Sequence, residues 1–451
     1  MKSGGVRKAA FRPRADACDP VAVRRFAPTA ADSTERITGG CSVKSRVSIF
    51  VFCQSFGWDL MQKLPFMDGL TEVRSSARPI LGSSCASLPT LLSGTLPAQH
   101  KHFAWFYYSP ISTPFRMCRF FSYLPVFRSS RRFRENIVLA VKKSSHITGR
   151  LDIFNMPLRH LPLFDFAERR NLLLPGALGN VPTIIDFLNE NNVPYVCSSP
   201  DRGDVENADI ITSALFSGMA SVAFWHVAGI DATLTRRGTS SSALRARVAW
   251  LDHRLRSMYD IARANYNSVE LVVFSDSGVV PIVDSYDLRR RIQDTRFQPY
   301  ADYIAVYEPT MARFWFMSPS CGAIIHRILL SLPCGRIIEK DELAREGCWF
   351  DDQRFGQVIF VANPGTVFTP NHIQRDSPVT ARGYHPDTPG MAAGFMCNIP
   401  GIAPPATLPE IYDFLVRNVA GEGLKIGERQ PSATTLIRAK QHTLEVGATN
   451  G

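Results

Sequence analysis

The chain has 451 residues, 45% hydrophobic and 20% charged. At roughly 150 residues per domain that allows one large α/β domain with insertions or two to three small ones, and it excludes disorder, collagen and coiled coil for the body of the chain. The net charge of +11 is uneven, since residues 1–46 carry ten Lys/Arg against four Asp/Glu.

Apolar runs such as Ile49–Cys53 and Leu271–Phe274 fall far short of the ~20 residues that cross a bilayer, so no transmembrane segment is expected. The first residues lack the apolar stretch of a secretory signal. The ten cysteines show no CxxC pair and no zinc-knuckle spacing. Reduced, buried thiols in a cytoplasmic protein are the expectation.

In chain order, residues 1–45 read as a disordered basic extension without periodicity. A domain over 46–420 follows, and 421–451 reads as a flexible tail. VSIFVFC (47–53) is a continuous apolar run, the mark of a strand buried on both faces of a parallel sheet. The same mark recurs at 222–227, 270–274 and 357–361. Between these runs, residues 182–191 read as a helix leading into a short strand. Residues 241–264 read as a long helix, with Leu244, Val248, Leu251, Leu255 and Met258 on one face. This alternation predicts a three-layer α/β/α sandwich with a central, mostly parallel sheet, whose site lies past the carboxyl ends of the strands.

Residues 103–170 interrupt the rhythm with an aromatic and basic stretch and are expected to form a lid or insertion over the sheet edge. A second basic excess lies within it over 116–150, including Arg116, Arg119, Arg131, Arg134 and Arg150, with Glu135 the lone acid opposing it there. It is either a solvated surface or a means of attracting an anionic or phosphorylated small molecule. No nucleic-acid-binding motif is present.

At the strand ends the sequence places QS (54–55), SSCASLPTLLSG (83–94) followed by PAQHKH, DATLTRRG (231–238), SDSG (275–278) and RGY (382–384). In order and spacing this set resembles the alkaline phosphatase superfamily, specifically its type I phosphodiesterase/nucleotide pyrophosphatase branch, from about Val47 to Ile402. The resemblance implies two divalent metals that activate a Ser/Thr nucleophile and polarise a phosphoryl group. It places the nucleophile at Ser84 and retains two metal-binding aspartates, Asp231 and Asp276. The other ligand positions are substituted: Gln54 for an aspartate, Thr235 and Ser277 for histidines, and Arg382 for the last histidine, with His385 three residues on as a stand-in. His100 matches a structural histidine of the family, followed by Lys101 where the family has glycine.

Zinc takes imidazole, thiolate or carboxylate ligands, usually at least three from the protein. The substituted set therefore predicts at most one divalent cation (Mg, Mn or Zn) on Asp231 and Asp276, not two. Asp231 and Asp276 read alternatively as helix N-caps. Arg382 either holds an anion or pairs with Asp231 or Asp276 and fills the vacated metal space. His226 reads as a core histidine.

Three functions follow. The first is a divergent phosphodiesterase acting on a phosphorylated small molecule through Ser84, helped by Arg382. The second is a pseudoenzyme that binds an anionic ligand or an active partner. The third is metal-free acyl or group transfer by Ser84 or Cys85 with His385 as base.

Overall fold

The run RVSIFVFC is buried on both faces because its side chains alternate between two apolar cores. Val47, Ile49, Val51 and Cys53 enter one, while Phe50 and Phe52 enter the other. The structure is a computed structural model that describes residues 44–82, 84–121, 131–374 and 378–421. The expected extension (1–45) and tail (421–451) lie outside the described residues, apart from residues 44–45 and 421.

The central sheet has six strands: β1 (Lys44–Cys53), β2 (Val73–Ala77), β3 (Tyr195–Cys197), β4 (Val222–Val227), β5 (Tyr266–Phe274) and β6 (Ala393–Cys397). Their order is β2-β6-β5-β1-β4-β3. β1 pairs in parallel with β4 and β5, and β3 pairs in parallel with β4. β6 alone runs antiparallel to its neighbours. One face is covered by helices Asp204–Phe216 and Ser242–Asn265, the latter through the five apolar positions read from its periodicity. The other face is covered by helices Ser84–Ser93, Ile184–Glu190 and Leu408–Ala420. The predicted three-layer α/β/α sandwich is what the chain forms.

The expectation fails for residues 357–361. They form the strand Val358–Ala362 of a separate antiparallel sheet, with Tyr303–Tyr307, Met311–Phe316 and Gly335–Ile337. The run is apolar because Phe360 faces one core while Ile359 and Val361 face another. Burial on both faces writes the same residues into either kind of sheet.

Residues 103–170 pack mainly on this second sheet. A short hairpin, Phe106–Tyr108 with Phe164–Phe166, shares a core with Ile304, Val306 and Trp315. Within the segment Arg131–Ser144 is a helix, and Arg134 donates to the carbonyls of Phe154 and Met156. Lys101 accounts for itself here: it caps the short helix Pro97–His100 at φ 64, a left-handed conformation that favours glycine. His100 bonds Thr90 Oγ1 at 3.0 Å and is buried, as a structural histidine would be. Among the described residues no helix is long and apolar enough to cross a membrane.

Candidate functional site

The carboxyl ends of β1, β4 and β5 converge, as the parallel sheet requires. Ser55, just past β1, adopts φ 63, and this turn points two donors at the neighbouring strand ends. Its backbone N–H donates to Asp276 Oδ1 at 2.8 Å, and its hydroxyl donates to Asp231 Oδ1 at 2.7 Å. Asp231 is the third residue of helix Gly229–Arg237, whose cap is Ala228, and Asp276 precedes no helix. Neither aspartate is an N-cap.

Arg382 lies between the two carboxylates. Its Nη1 donates to Ser55 Oγ at 2.7 Å and to Asp276 Oδ2 at 3.1 Å, and its Nη2 is 3.5 Å from Asp231 Oδ1. With its amide oxygen turned to the guanidinium, Gln54 accepts from Nη2 at 2.5 Å and Nη1 at 3.2 Å. The other end of that amide faces His226 Nε2 at 3.4 Å. Strand Thr380–Ala381 carries Arg382 here, and the Arg382 carbonyl accepts from Thr310 Oγ1 at 2.9 Å. Asp276 is 1% exposed; burial raises its pKa, opposed by Arg382 and by the Ser55 N–H.

These residues do not fit a dinuclear metal centre. Among the described residues no three His, Cys, Asp or Glu side chains come together to hold a metal. The two aspartates share one guanidinium, so even a single cation would first have to displace Arg382 from both. Of the expectations for Arg382, the pairing with Asp231 and Asp276 is observed.

A cavity of about 450 Å³ opens beside this group. Gln54, Asp231, Thr235 and Arg382 line it, with Trp105, Arg150, Phe154, Glu168, Asn171 and His226. Burial pushes the Glu168 carboxyl up to about 7, with Arg150 opposing, and lowers the His226 pKa to about 4, keeping that imidazole neutral. Gly82 and Cys85, which flank Ser84 in the chain, also line the cavity, and Ser84 is the first residue of its helix. The Ser84 side chain lies outside the described residues.

Two residues do not join. Ser277 is buried and does not line the cavity. His385 sits outside the lining, its Nε2 3.0 Å from Glu342 Oε1 and its Nδ1 3.6 Å from Asp387 Oδ2. The chain turns at Gly383 (φ 85) and buries Tyr384, whose hydroxyl donates to the Thr366 carbonyl, so His385 emerges away from Arg382. The structure does not bring it together with Arg382, Asp231 and Asp276.

Three contributors escaped the sequence. His226, read as core, lines the cavity. Ser55 adjoins Gln54 and organises both aspartates, a role that follows only from its left-handed backbone. Glu168 comes from the inserted segment and carries no motif.

This layered sheet is shared with solved ectonucleotide pyrophosphatase/phosphodiesterase structures. Human ectonucleotide pyrophosphatase/phosphodiesterase 5 shares it at a TM-score of 0.60 and 13% identity, over 86% of this chain and 97% of that one. The murine protein aligns at 0.58 and 14%, over 85% and 98%. An inactive murine variant in complex with AMP aligns at 0.57 and 14%, over 86% and 98%. At these identities the likeness is one of fold. No protein-family model and no curated protein matches the chain.

Proposed function

We propose that this chain binds a phosphorylated, nucleotide-like small molecule in the 450 Å³ cavity, with Arg382 as the resident cation where the fold's enzymes would hold metals. The observation that carries this reading is the guanidinium bonded to Gln54, Ser55 and Asp276 and within 3.5 Å of Asp231. A fixed cation neutralises the acidic pair without supplying the open coordination position that a metal-activated nucleophile needs. Arg150 supports the anionic part of the ligand: it is exposed, lines the cavity and makes no ion pair among the described residues. Trp105 and Phe154 offer flat apolar surface, and the AMP complex of the murine protein supports the nucleotide-like class.

A second reading, hydrolysis through Ser84, is favoured by the place of that residue in the chain between the lining residues Gly82 and Cys85. Metal-free acyl transfer with His385 as base is not supported, because His385 is held by Glu342 outside the cavity lining.

The test combines AMP binding by calorimetry, metal content by elemental mass spectrometry, and hydrolysis of an aryl phosphodiester with zinc, manganese or magnesium added. The binding reading expects AMP affinity unchanged by chelator and turnover at background. Stoichiometric metal, with turnover abolished by Asp231→Ala/Asp276→Ala, would sink it. Turnover that persists without metal and disappears in Ser84→Ala would establish the second reading.

A further inference from the structure

A second polar cleft lies where the inserted segment meets the antiparallel sheet. His372 is 2% exposed, and its Nδ1 accepts from the Tyr307 backbone N–H at 3.3 Å. A neutral imidazole has one N–H, so this bond places the proton on Nε2. Among the described residues that Nε2–H has no partner, and neither does the hydroxyl of Tyr307, itself 4% exposed. Two orphaned buried donors on adjacent side chains are costly unless something accepts from them. Both residues line a cleft of about 20 Å³.

The rest of the lining points to the chemistry of what fills it. Arg159 and Arg289 stand around the cleft, and neither pairs with a carboxylate among the described residues. Arg159 lies over the Tyr300 ring at 3.9 Å, and Tyr300 shares a hydrogen bond with His160 Nδ1 at 3.2 Å. The nearest acid in sequence, Asp287, caps the helix Leu288–Gln293 by accepting from Arg290 N–H. Burial and the neighbouring arginines lower the pKa of both His160 and His372, the latter to about 3, so neither imidazole adds charge. A metal cation would face two uncompensated guanidiniums, whereas an acceptor with negative charge would use every donor present.

We propose that this cleft binds a small anion, seated on His372 Nε2–H and the Tyr307 hydroxyl and held by Arg159 and Arg289. Its size admits one halide, or one oxygen of an oxyanion whose remainder lies between the arginines. The ligand ties together three separate parts of the chain: the inserted segment through Arg159, the helix carrying Arg289, and the loop carrying His372. This site is separate from the larger cavity and does not depend on what that cavity binds.

Chloride binding to the full chain, read by ³⁵Cl line broadening at constant ionic strength, tests the proposal, with inorganic phosphate as competitor. The wild type should broaden the signal, and Arg289→Met and Tyr307→Phe should each weaken chloride binding at least tenfold. Relief of broadening by phosphate, with the same variant sensitivity, identifies an oxyanion as the preferred occupant. Indifference to phosphate identifies a halide. Equal broadening in wild type and both variants places chloride elsewhere and overturns the proposal. So does absence of broadening together with no phosphate-dependent rise in Tm, which leaves water in the cleft. Arg289 is only half-buried, so its variant keeps the test decisive if Tyr307→Phe fails to fold.

Discussion

Two arginine–carboxylate groups border the same cavity and are built differently. In the second sheet, Arg313 and Glu308 are fully enclosed, with side-chain exposures of 0% and 5%. Arg313 Nη2 donates to Glu308 Oε1 at 2.8 Å, while Nη1 donates to the carbonyls of Phe106 and Phe355. Past the central sheet, Arg382 serves two aspartates, with side-chain exposures of 19% for Arg382, 25% for Asp231 and 2% for Asp276. The first group matches one cation to one anion and closes Nη1 with backbone carbonyls, leaving Nε–H without a partner among the described residues. The second leaves an excess of one carboxylate and an open side towards the cavity. Enclosure makes Arg313 a joint between the second sheet and the inserted segment, whereas openness lets Arg382 exchange partners when a ligand or cation arrives.

The largest expected effect tests the enclosed group. Arg313→Met strands the Glu308 carboxylate, and Glu308→Gln strands a guanidinium; each should lower stability by about 3–5 kcal/mol. Chemical denaturation of the two single variants and the double variant measures this. The double variant should recover most of the loss, because neither charge is then left buried alone. Additive losses would mean that the carbonyl contacts of Arg313, not the pair, carry the joint.

Arg382→Met should cost less, about 2 kcal/mol, because Asp231 retains access to water. The sharper readout is cation dependence. With the guanidinium gone, Asp231 and Asp276 become a two-carboxylate site, and manganese should raise the Tm of the variant and not of the wild type. An equal manganese response in both proteins would show that Arg382 does not occupy the cation position, and the contrast between the two groups would collapse.

The fold was legible because it rests on periodicity. β1, β4 and β5 and the helix Ser242–Asn265 each declare their buried faces through spacing alone. The site was legible only where a residue follows closely on a strand, as Gln54 and Asp276 do, or sits on the first turn of the helix after it, as Asp231 does. Arg382 was aligned to its position by its three-residue motif, but its choice between anion and aspartates depended on distances no spacing encodes. His385 failed because a three-residue offset is a small step in sequence, and a glycine turn followed by a buried tyrosine makes it a large one in space. The sheet holding Val358–Ala362 was misassigned because two-sided burial leaves strand direction unwritten. Glu168, Trp105 and Phe154 arrive from the inserted segment, whose aromatic composition predicts packing without saying what it packs beside.

The smallest expected effect comes from Glu168, where the cavity meets the inserted segment. Burial lifts its carboxyl from 4.5 to about 7, with Arg150 pulling the other way. A carboxyl whose folded pKa is raised favours the folded state as the neutral acid. Its contribution is complete below about 4.5 and is lost as pH rises through 7. The same proton controls the cavity's charge. Below 7, Arg150 faces an uncharged acid and is free to attract an anion; above 7 the carboxylate competes for it. A ligand whose own charge does not titrate in this range, such as a cyclic nucleotide phosphodiester, isolates the effect. Its affinity should fall by about fivefold between pH 6 and pH 8, equivalent to about 1 kcal/mol of like-charge repulsion across a partly solvated pocket. Glu168→Gln should hold the affinity at the low-pH value throughout and flatten the stability profile between pH 4.5 and 7. A variant that keeps the wild-type pH dependence would move the titrating group elsewhere, with Asp276 next in line because burial raises its pKa as well. Loss of the pH dependence in Glu168→Gln or instead in Asp276→Asn therefore distinguishes a ligand held at the Arg150 end of the cavity from one held at the Arg382 end.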